Sequence, residues 1–161
     1  MDAVQIKRSI VRMAWEIYEK HHLDERIILA GIHGRGTDLV NRLANELRAI
    51  SGLEIETTEI SMNKRQPWSE PIHYNPEIFA QLQDTPMVIV DDVLNSGKTL
   101  LYALQPVMAY KIKKLTAVVL IDRSHKRFPI LADVVGLKLS TSSHEHVRVM
   151  LDAGKEKVYL E

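Results

Sequence analysis

The sequence predicts an α/β fold, with a mainly parallel sheet flanked by helices, in a single domain spanning residues 1–161. Three observations lead to this prediction. Short apolar runs suited to buried strands alternate with segments whose apolar residues recur at helical spacing. Strands that alternate with helices favour parallel pairing, with helices on both faces of the sheet. A chain of 161 residues is long enough for one domain with a sizeable core and too short for two ordinary ones.

The first half of the chain predicts two helices and two strands. Apolar side chains recur at helical spacing across residues 3–20, which indicates an amphipathic helix. The run RIILAG at 26–31 predicts a buried strand, and the helix that follows it is expected to end at Ser51 and Gly52. The alternating stretch LEIETTEI at 53–60 predicts a strand with one exposed face.

The second half begins with an irregular segment. Residues 62–80 lose all periodicity and contain three prolines, which is typical of a functional loop or of disorder. PMVIV at 86–90 predicts the most buried strand, and LTAVVLI at 115–121 predicts another.

A third helix is expected between these two strands, from Ser96 or Gly97 to about Ala109. Pro106 lies inside it, and its ring removes an amide hydrogen and crowds the preceding turn. The sequence therefore predicts a kinked or shortened helix.

The composition excludes several kinds of protein. Hydrophobic residues make up 45% of the chain and charged residues 26%, as in globular proteins. Basic and acidic residues number 21 each, so no overall charge draws the chain to nucleic acid or to a membrane. Cysteine is absent, which excludes disulfides and thiolate chemistry. With no bilayer-length apolar segment and no secretory signal pattern, we expect a cytoplasmic protein without membrane contact.

The stretch VIVDDVLNSGKT at 88–99 carries the main functional signal. Asp91 and Asp92 follow the most buried strand, and ligands of open parallel sheets bind beyond the carboxyl ends of strands. Residues 95–99 then offer backbone amides, two hydroxyls and the start of a helix, all suited to one phosphate group. Carboxylates beside such a loop indicate a ligand that also carries hydroxyl groups or a divalent cation.

Two other interpretations of this stretch compete with a ligand site. SGKT also ends the Walker A loop of nucleotide hydrolases, but that motif needs glycine where this chain has Asp92. The pair of carboxylates could also be a solvated strand end before an ordinary turn. The order of strand, carboxylate pair, small polar loop and helix disfavours that interpretation.

VIVDDVLNSGKT resembles the signature of the type I phosphoribosyltransferases, whose ligand is phosphoribosyl pyrophosphate bound with Mg²⁺. The resemblance implies the type I fold with a flexible loop and a small hood. It also implies that Asp91 and Asp92 face the ribose hydroxyls and contact Mg²⁺ through these hydroxyls or through water. The residues implied to hold the 5′-phosphate are Asn95, Ser96, Gly97, Lys98 and Thr99.

Other segments extend the resemblance over nearly the whole chain. AGIHGRG at 30–36 occupies the place of the family's pyrophosphate loop, with Arg35 as its charged donor. The loop residues are His33, Gly34, Arg35 and Gly36. VVLIDRSHKRFPILADVVGLKLSTS at 118–142 is similar to the corresponding segment of bacterial pyrimidine operon regulators that also act as uracil phosphoribosyltransferases. A tight glycine turn remains the alternative for 30–36.

Two further pairs of residues receive roles from the resemblance. Val134 and Val135 are implied to bind the base, one side chain packing on the ring while backbone groups recognise its edge. Lys64 and Arg65 lie in the loop that closes over the ligand in the family. The alternatives are two valines in a buried strand and two solvated basic residues.

Asn95 and His33 are departures from the family pattern that bear on the chemistry of the site. Asn95 replaces the aspartate of purine phosphoribosyltransferases and the bulky aromatic residue of the pyrimidine regulators, and an amide cannot act as a general base. His33 lies where the regulators have lysine, so one permanent positive charge is missing from the pyrophosphate loop.

RNA binding, the regulatory role of the subfamily, requires a basic face. Candidate phosphate contacts are Arg8, Arg12, Lys20, His125, Lys126 and Arg127. Val11 and Trp15 replace hydrogen-bonding residues expected on the first helix, and scattered basic residues more often form a solvated face. RNA is therefore the less favoured partner.

The sequence thus predicts an enzyme that transfers phosphoribose from phosphoribosyl pyrophosphate to a nucleobase, with uracil as the leading candidate. Charge separation in this reaction calls for carboxylates near the ribose and for Arg35 and Mg²⁺ near the pyrophosphate. Two alternatives stay open: a nucleotide-sensing RNA-binding regulator with little catalysis, and a purine phosphoribosyltransferase. The resemblance also implies a homodimer or a larger homo-oligomer.

Overall fold

The structure, a computed structural model, describes residues 1–123, 125–140 and 145–161. Part of the segment that resembles the pyrimidine regulators, Ser124 with residues 141 and 142, lies outside these ranges. The helices are α1 (Ala3–His21), α2 (Arg35–Ile50), α3 (Pro76–Phe79) and α4 (Lys98–Ala103). The strands are β1 (Arg26–Ile32), β2 (Glu54–Ser61), β3 (His73–Tyr74), β4 (Pro86–Leu94), β5 (Lys114–Arg123), β6 (Val134–Leu139), β7 (Val147–Met150) and β8 (Lys157–Leu160).

The central sheet has the strand order β3-β2-β1-β4-β5-β6. All its pairs are parallel except the short edge strand β3, which runs antiparallel to β2. After β1, the chain adds β2 and β3 on one side of that strand, and it then crosses over to form β4 on the other side. The order therefore reverses between β1 and β4, and ligands of such sheets bind at this kind of position. The predicted α/β class is confirmed.

The sheet separates two apolar clusters, because successive side chains of a strand point to opposite faces. Leu29 and Val88 pack with α1 and α2 on one face. Ala30 and Ile89 pack on the other face with Phe79 and the first turns of α4. The central strands are consequently apolar on both sides, as expected for a parallel sheet covered by helices.

The first helix forms where its periodicity predicts. Asp2 caps it: its carboxylate accepts the Gln5 N–H at 2.8 Å, and the Gln5 side chain accepts the Asp2 N–H at 2.9 Å. This reciprocal pair satisfies two amides that the first turn would leave without partners. Ile6, Ile10 and Met13 are buried on one side of the helix. No helix in the described ranges is long and apolar enough to cross a membrane.

Several boundaries differ from the sequence predictions. The helix expected to reach Ala109 ends at Ala103, and a separate 3₁₀ turn occupies Val107–Ala109, so Pro106 shortens the helix as its chemistry requires. The segment 62–80, predicted to be irregular throughout, contains β3 and α3.

The long strand β4 continues to Leu94, so Asp91 and Asp92 belong to its last residues rather than to the loop. The sequence analysis made no prediction for the antiparallel hairpin of β7 and β8. This hairpin adds Val149 and Val158 to the cluster beneath α1.

Gly136 of β6 provides a test of this packing. A Cβ at this position would lie 2.5 Å from the carbonyl oxygen of Leu120 and 2.9 Å from its Cδ1. We expect Gly136→Ala to lower the free energy of unfolding by about 1–3 kcal/mol, because overpacking displaces backbone. Gly52→Ala is the matched control, since its Cβ meets no atom within 4 Å. Urea unfolding measures both, and equal midpoints for the two variants would contradict the packing described.

Candidate active site

The candidate site lies at the edge of the sheet where β1 and β4 end. Two residues, 33 and 34, join β1 to α2, and residues 95–97 join β4 to α4. Because β1 and β4 are parallel neighbours, with Gly31 opposite Val90, both loops emerge side by side. The structure thus brings the predicted pyrophosphate loop and the predicted phosphate loop together.

The start of α2 packs directly onto the end of β4. A Cβ on Gly36 would lie 2.9 Å from the carbonyl oxygen of Val90, so a larger residue there would push the helix away from the strand. This approach brings the Arg35 guanidinium to the neighbouring carboxylate, with Nη1 3.9 Å from Oδ2 of Asp92. Arg35 remains about half exposed and able to meet a ligand.

The two carboxylates have different surroundings. The Asp91 side chain is only 5% exposed, and its Oδ1 accepts hydrogen bonds from Lys64 Nζ at 3.4 Å and from the Asp92 N–H at 3.0 Å. The Asp92 side chain is 14% exposed and faces Arg35. The pair is therefore divided between Lys64, which lies in the long loop joining β2 to β3 (residues 62–72), and Arg35, at the start of α2.

Burial dominates the ionisation of Asp91. Loss of hydration raises the pKa of its carboxyl to about 7; the positive charge of Lys64 opposes this effect, and the negative charge of Asp92 adds to it. Near neutral pH the carboxyl thus lies close to the midpoint of its titration. A cation that approached this oxygen would favour the ionised form.

The phosphate loop has a fixed backbone shape. Gly97 has a φ of +85°, a left-handed conformation that glycine adopts without strain. The Lys98 N–H donates to Ser96 Oγ at 3.3 Å, and the Ser96 carbonyl accepts the N–H groups of Arg127 and Phe128 at 2.9 and 3.0 Å. A cavity of about 280 Å³ lies over the loop, lined by Lys64, Arg65, Asp91 and residues 93–100.

Lys98 makes contacts that the sequence did not predict. Its Nζ donates to the Arg65 carbonyl at 2.7 Å and lies 5.6 Å from the centre of the Trp68 ring. The side chain therefore ties the long loop to the phosphate loop, and its backbone amide stays within the phosphate loop. The adjacency of lysine and tryptophan is invisible in sequence because 30 residues separate them.

Glu59 is a further site residue that sequence analysis missed. It lies near the end of β2, where its Oε1 is 2.8 Å from His33 Nδ1 and its Oε2 accepts the Thr37 hydroxyl at 2.6 Å. The hydrogen bonds from Thr37 and then His33 lower the pKa of this carboxyl. The sequence predicted a strand with one exposed face at 53–60, but nothing local showed what Glu59 would meet.

The predicted base site is the least defined part. Val134 is fully buried in the cluster beneath α1, whereas Val135 is partly buried on the opposite face of the sheet. The Val135 carbonyl accepts Arg12 Nη2 at 2.9 Å, and the Gly136 carbonyl accepts the same nitrogen at 2.7 Å. The base-binding role of both valines stays a prediction, as do the ligand roles of the other site residues.

The chain is similar in sequence to a known domain family and to curated bacterial proteins. The family profile described as "Phosphoribosyl transferase domain" matches residues 2–153. The chain is 34% identical over 157 residues to the "Bifunctional protein PyrR" of Clostridioides difficile, covering 94% of this chain and 89% of the relative. It is 37% identical over 159 residues to the protein of the same name from Alkaliphilus metalliredigens, covering 94% and 86%.

Solved structures share the fold at low sequence identity. A hypoxanthine-guanine phosphoribosyltransferase from Bacillus anthracis superposes with a TM-score of 0.70 at 18% identity, covering 91% of this chain and 82% of that one. The hypoxanthine phosphoribosyl transferase of Trypanosoma cruzi gives a TM-score of 0.72 at 16% identity, covering 86% and 75%. The fold is that of the type I phosphoribosyltransferases, and with a profile match over nearly its whole length the chain belongs to the phosphoribosyl transferase domain family.

Proposed function

We propose that this protein is a cytoplasmic, Mg²⁺-dependent enzyme that transfers phosphoribose from phosphoribosyl pyrophosphate to uracil and releases pyrophosphate. The observation that carries the proposal is the pair Asp91 and Asp92 at the strand-order reversal, with the phosphate loop on one side and Arg35 on the other. This arrangement suits one ligand that has hydroxyls between two phosphate-bearing ends. The resemblance of residues 118–142 to the pyrimidine operon regulators favours a pyrimidine as the acceptor.

The chemistry requires charge stabilisation and no nucleophilic side chain. A bond forms between a ring nitrogen of the base and C1′ as the bond from C1′ to the pyrophosphate oxygen breaks, and the proton of that nitrogen is released to solvent with the products. Positive charge develops on the ribose and negative charge on the leaving group. Asp91 and Asp92 would stabilise the positive charge on the ribose. Arg35, which is about half exposed at the start of α2, would stabilise the negative charge on the pyrophosphate.

The residues at the site fit a magnesium ion that arrives with the ligand. In the described part of the chain, no group of three or more acidic, histidine or cysteine side chains forms a metal cage. Asp91 and Asp92 offer carboxylate oxygens, and magnesium typically uses one or two protein carboxylates with water and substrate phosphates. Bound there, the ion would neutralise the pyrophosphate that leaves.

The long loop is well placed to exclude water. Lys64 reaches Asp91 at 3.4 Å, and the Arg65 carbonyl is held by Lys98 at 2.7 Å, so the loop already lies against the phosphate loop. A closed, dry site strengthens the electrostatic interactions that this reaction needs. Lys64 must leave the Asp91 oxygen if a ligand hydroxyl is to take its place.

Asn95 argues against a purine as the acceptor. It lines the cavity over the phosphate loop, where its amide can donate and accept hydrogen bonds but cannot take a proton from a base. A purine phosphoribosyltransferase that relies on an aspartate at this position would lose that step here. Uracil therefore remains the first acceptor to test.

A nucleotide-sensing RNA-binding regulator is the second candidate, favoured by the similarity to relatives whose name calls them bifunctional. The basic face it needs is partly occupied by internal contacts. Arg12 pairs with Glu16 and binds the carbonyls of β6, and Lys126 pairs with Asp122 at 3.0 Å. Arg8, Lys20 and Arg127 are exposed. These observations rank RNA binding below catalysis.

The deciding experiment measures pyrophosphate release from phosphoribosyl pyrophosphate and Mg²⁺, with uracil, hypoxanthine, guanine, adenine and orotate supplied singly. We expect release with uracil alone. Pyrophosphate release with a purine and not with uracil would show that a purine is the acceptor. Binding of phosphoribosyl pyrophosphate without release by any base would favour the regulator, and salt-dependent RNA binding would then be measured.

Asp92→Asn tests the carboxylate pair. We expect kcat/KM to fall about 100-fold or more, because a charged group aimed at the developing positive charge becomes neutral. The urea midpoint should change little, since the side chains have the same shape. Asp152→Asn, an exposed carboxylate in the turn between β7 and β8, is the control and should retain activity. Full activity in Asp92→Asn would remove Asp92 from the mechanism.

The raised pKa of Asp91 predicts a pH dependence of stability in metal-free buffer. Between its ordinary pKa of 3.8 and about 7, the folded chain keeps a proton that the unfolded chain has lost. The folded state binds more protons in this window, so its free energy of unfolding falls as pH rises from about 4 to 7 and then levels off. Asp91→Asn lacks this contribution. Urea unfolding of both proteins across this window should show that the native protein loses stability relative to Asp91→Asn as pH rises. A difference in the free energy of unfolding that stayed constant with pH would contradict the raised pKa.

A further inference from the structure

Glu59 links the pyrophosphate loop to the sheet through His33. The two residues are 26 apart in sequence, yet the carboxylate Oε1 lies 2.8 Å from the imidazole Nδ1. The backbone of His33 is fixed by the same strand, because its N–H donates to the Ile60 carbonyl at 2.9 Å. The second carboxylate oxygen holds Thr37 in the first turn of α2. Glu59 therefore fixes both ends of the short connection between β1 and α2.

This contact determines which ring nitrogen of His33 is left for a ligand. An ionised carboxylate only accepts hydrogen bonds, so Nδ1 must carry the hydrogen that is donated to Glu59. Nε2 is then the ring nitrogen left for a ligand. Nε2 has no protein partner within the described ranges, and the side chain is 65% exposed. The ring is thus anchored on one side and available on the other.

We propose that Glu59 is a positioning residue that holds His33 for protonation at Nε2 when pyrophosphate binds beside Arg35, so that an imidazolium supplies the second positive charge of this loop. The inference rests on the proposed function, since it takes the leaving group of that reaction as the ligand. A carboxylate bound to Nδ1 stabilises the imidazolium and fixes the ring orientation, as in other sites where a carboxylate supports a histidine. Nothing else in residues 33–36 but Arg35 carries a permanent positive charge.

The other charged groups around His33 do not replace this role. Arg35 lies in the same connection and faces Asp92 from β4 at 3.9 Å. Asp38 is exposed in the first turn of α2, and His73 from β3 lines a groove with Glu59. Glu59 is the group that the structure places in hydrogen-bond contact with the ring. Affinity for pyrophosphate should therefore depend on pH through His33, in addition to the titration of the ligand itself.

The test measures the dissociation constant of Mg²⁺-pyrophosphate by calorimetry at about pH 5.5 and about pH 8.5, on either side of the usual titration range of histidine. The proteins are the native sequence, Glu59→Gln, His33→Lys and the double variant. Glu54→Gln, at the opposite end of β2, is the matched control; it removes a mostly exposed carboxylate that pairs with Arg26. Titration of the ligand is common to all the proteins, so differences among them report on the residues.

We expect Glu59→Gln to weaken binding about tenfold at the lower pH, because a charge-assisted hydrogen bond to the imidazolium is lost. His33→Lys should bind with less pH dependence than the native protein, since its charge is permanent in this range. Adding Glu59→Gln to His33→Lys should then change the affinity less than twofold, and Glu54→Gln should match the native protein.

Two results would overturn the inference. Native affinity and pH dependence in Glu59→Gln would show that the carboxylate does not act on the ligand site. An equal loss of affinity when Glu59→Gln is added to the His33→Lys variant would show that the carboxylate has a purely structural role. If the native protein bound neither pyrophosphate nor phosphoribosyl pyrophosphate at millimolar concentration, the proposed function itself would fail, and the inference with it.

Discussion

The parallel pairing of β1 with β4 is the contact on which the site depends. Gly31 lies opposite Val90, so β1 ends beside Asp91, and its loop starts from the same edge of the sheet as the loop that follows β4. Gly36 then allows the first turn of α2 to touch the Val90 carbonyl, with 2.9 Å to a Cβ that glycine lacks. A shift of one residue in this register would move Asp91 to the opposite face of the sheet, because side chains alternate along a strand. The site therefore forms only when β1 and β4 pair in this register, whatever side chains the two loops carry.

Each anionic side chain of the site faces a cationic or protonatable partner. Lys64 contacts Asp91, Arg35 faces Asp92, and His33 contacts Glu59. Without these contacts, three carboxylates along one edge of the sheet would repel one another, and Asp91 would be buried with no opposite charge nearby. A phosphorylated ligand with a divalent cation carries both signs of charge, so it can exchange with these partners without leaving a buried charge unpaired.

The sequence predicted the elements whose signals are local. Helical spacing placed α1, continuous apolar runs placed β1, β4 and β5, and the chemistry of Pro106 correctly indicated that the helix around it is shortened. The same reasoning selected Asp91 and Arg35 as candidate site residues, because each stands in a recognisable motif just after an apolar run. It missed the hairpin of β7 and β8, whose strands have four residues each and are stabilised by packing beneath α1. Short strands that depend on tertiary contacts leave little periodicity to detect.

The contacts that the sequence analysis missed at the site, those of Glu59 and of the Lys98 side chain, share a different cause. Glu59 and Lys98 act through partners 26 and 33 residues away in sequence, so no local pattern shows what they contact. Lys98 is the clearer case, since its neighbours suggest a phosphate ligand while its amine binds the Arg65 carbonyl and lies near Trp68. Lys98 thus contributes its backbone amide to the phosphate loop and its side-chain amine to the contact that holds the long loop. Because Lys98 connects the two loops, a movement of the phosphate loop large enough to withdraw its amine would break the hydrogen bond to the Arg65 carbonyl.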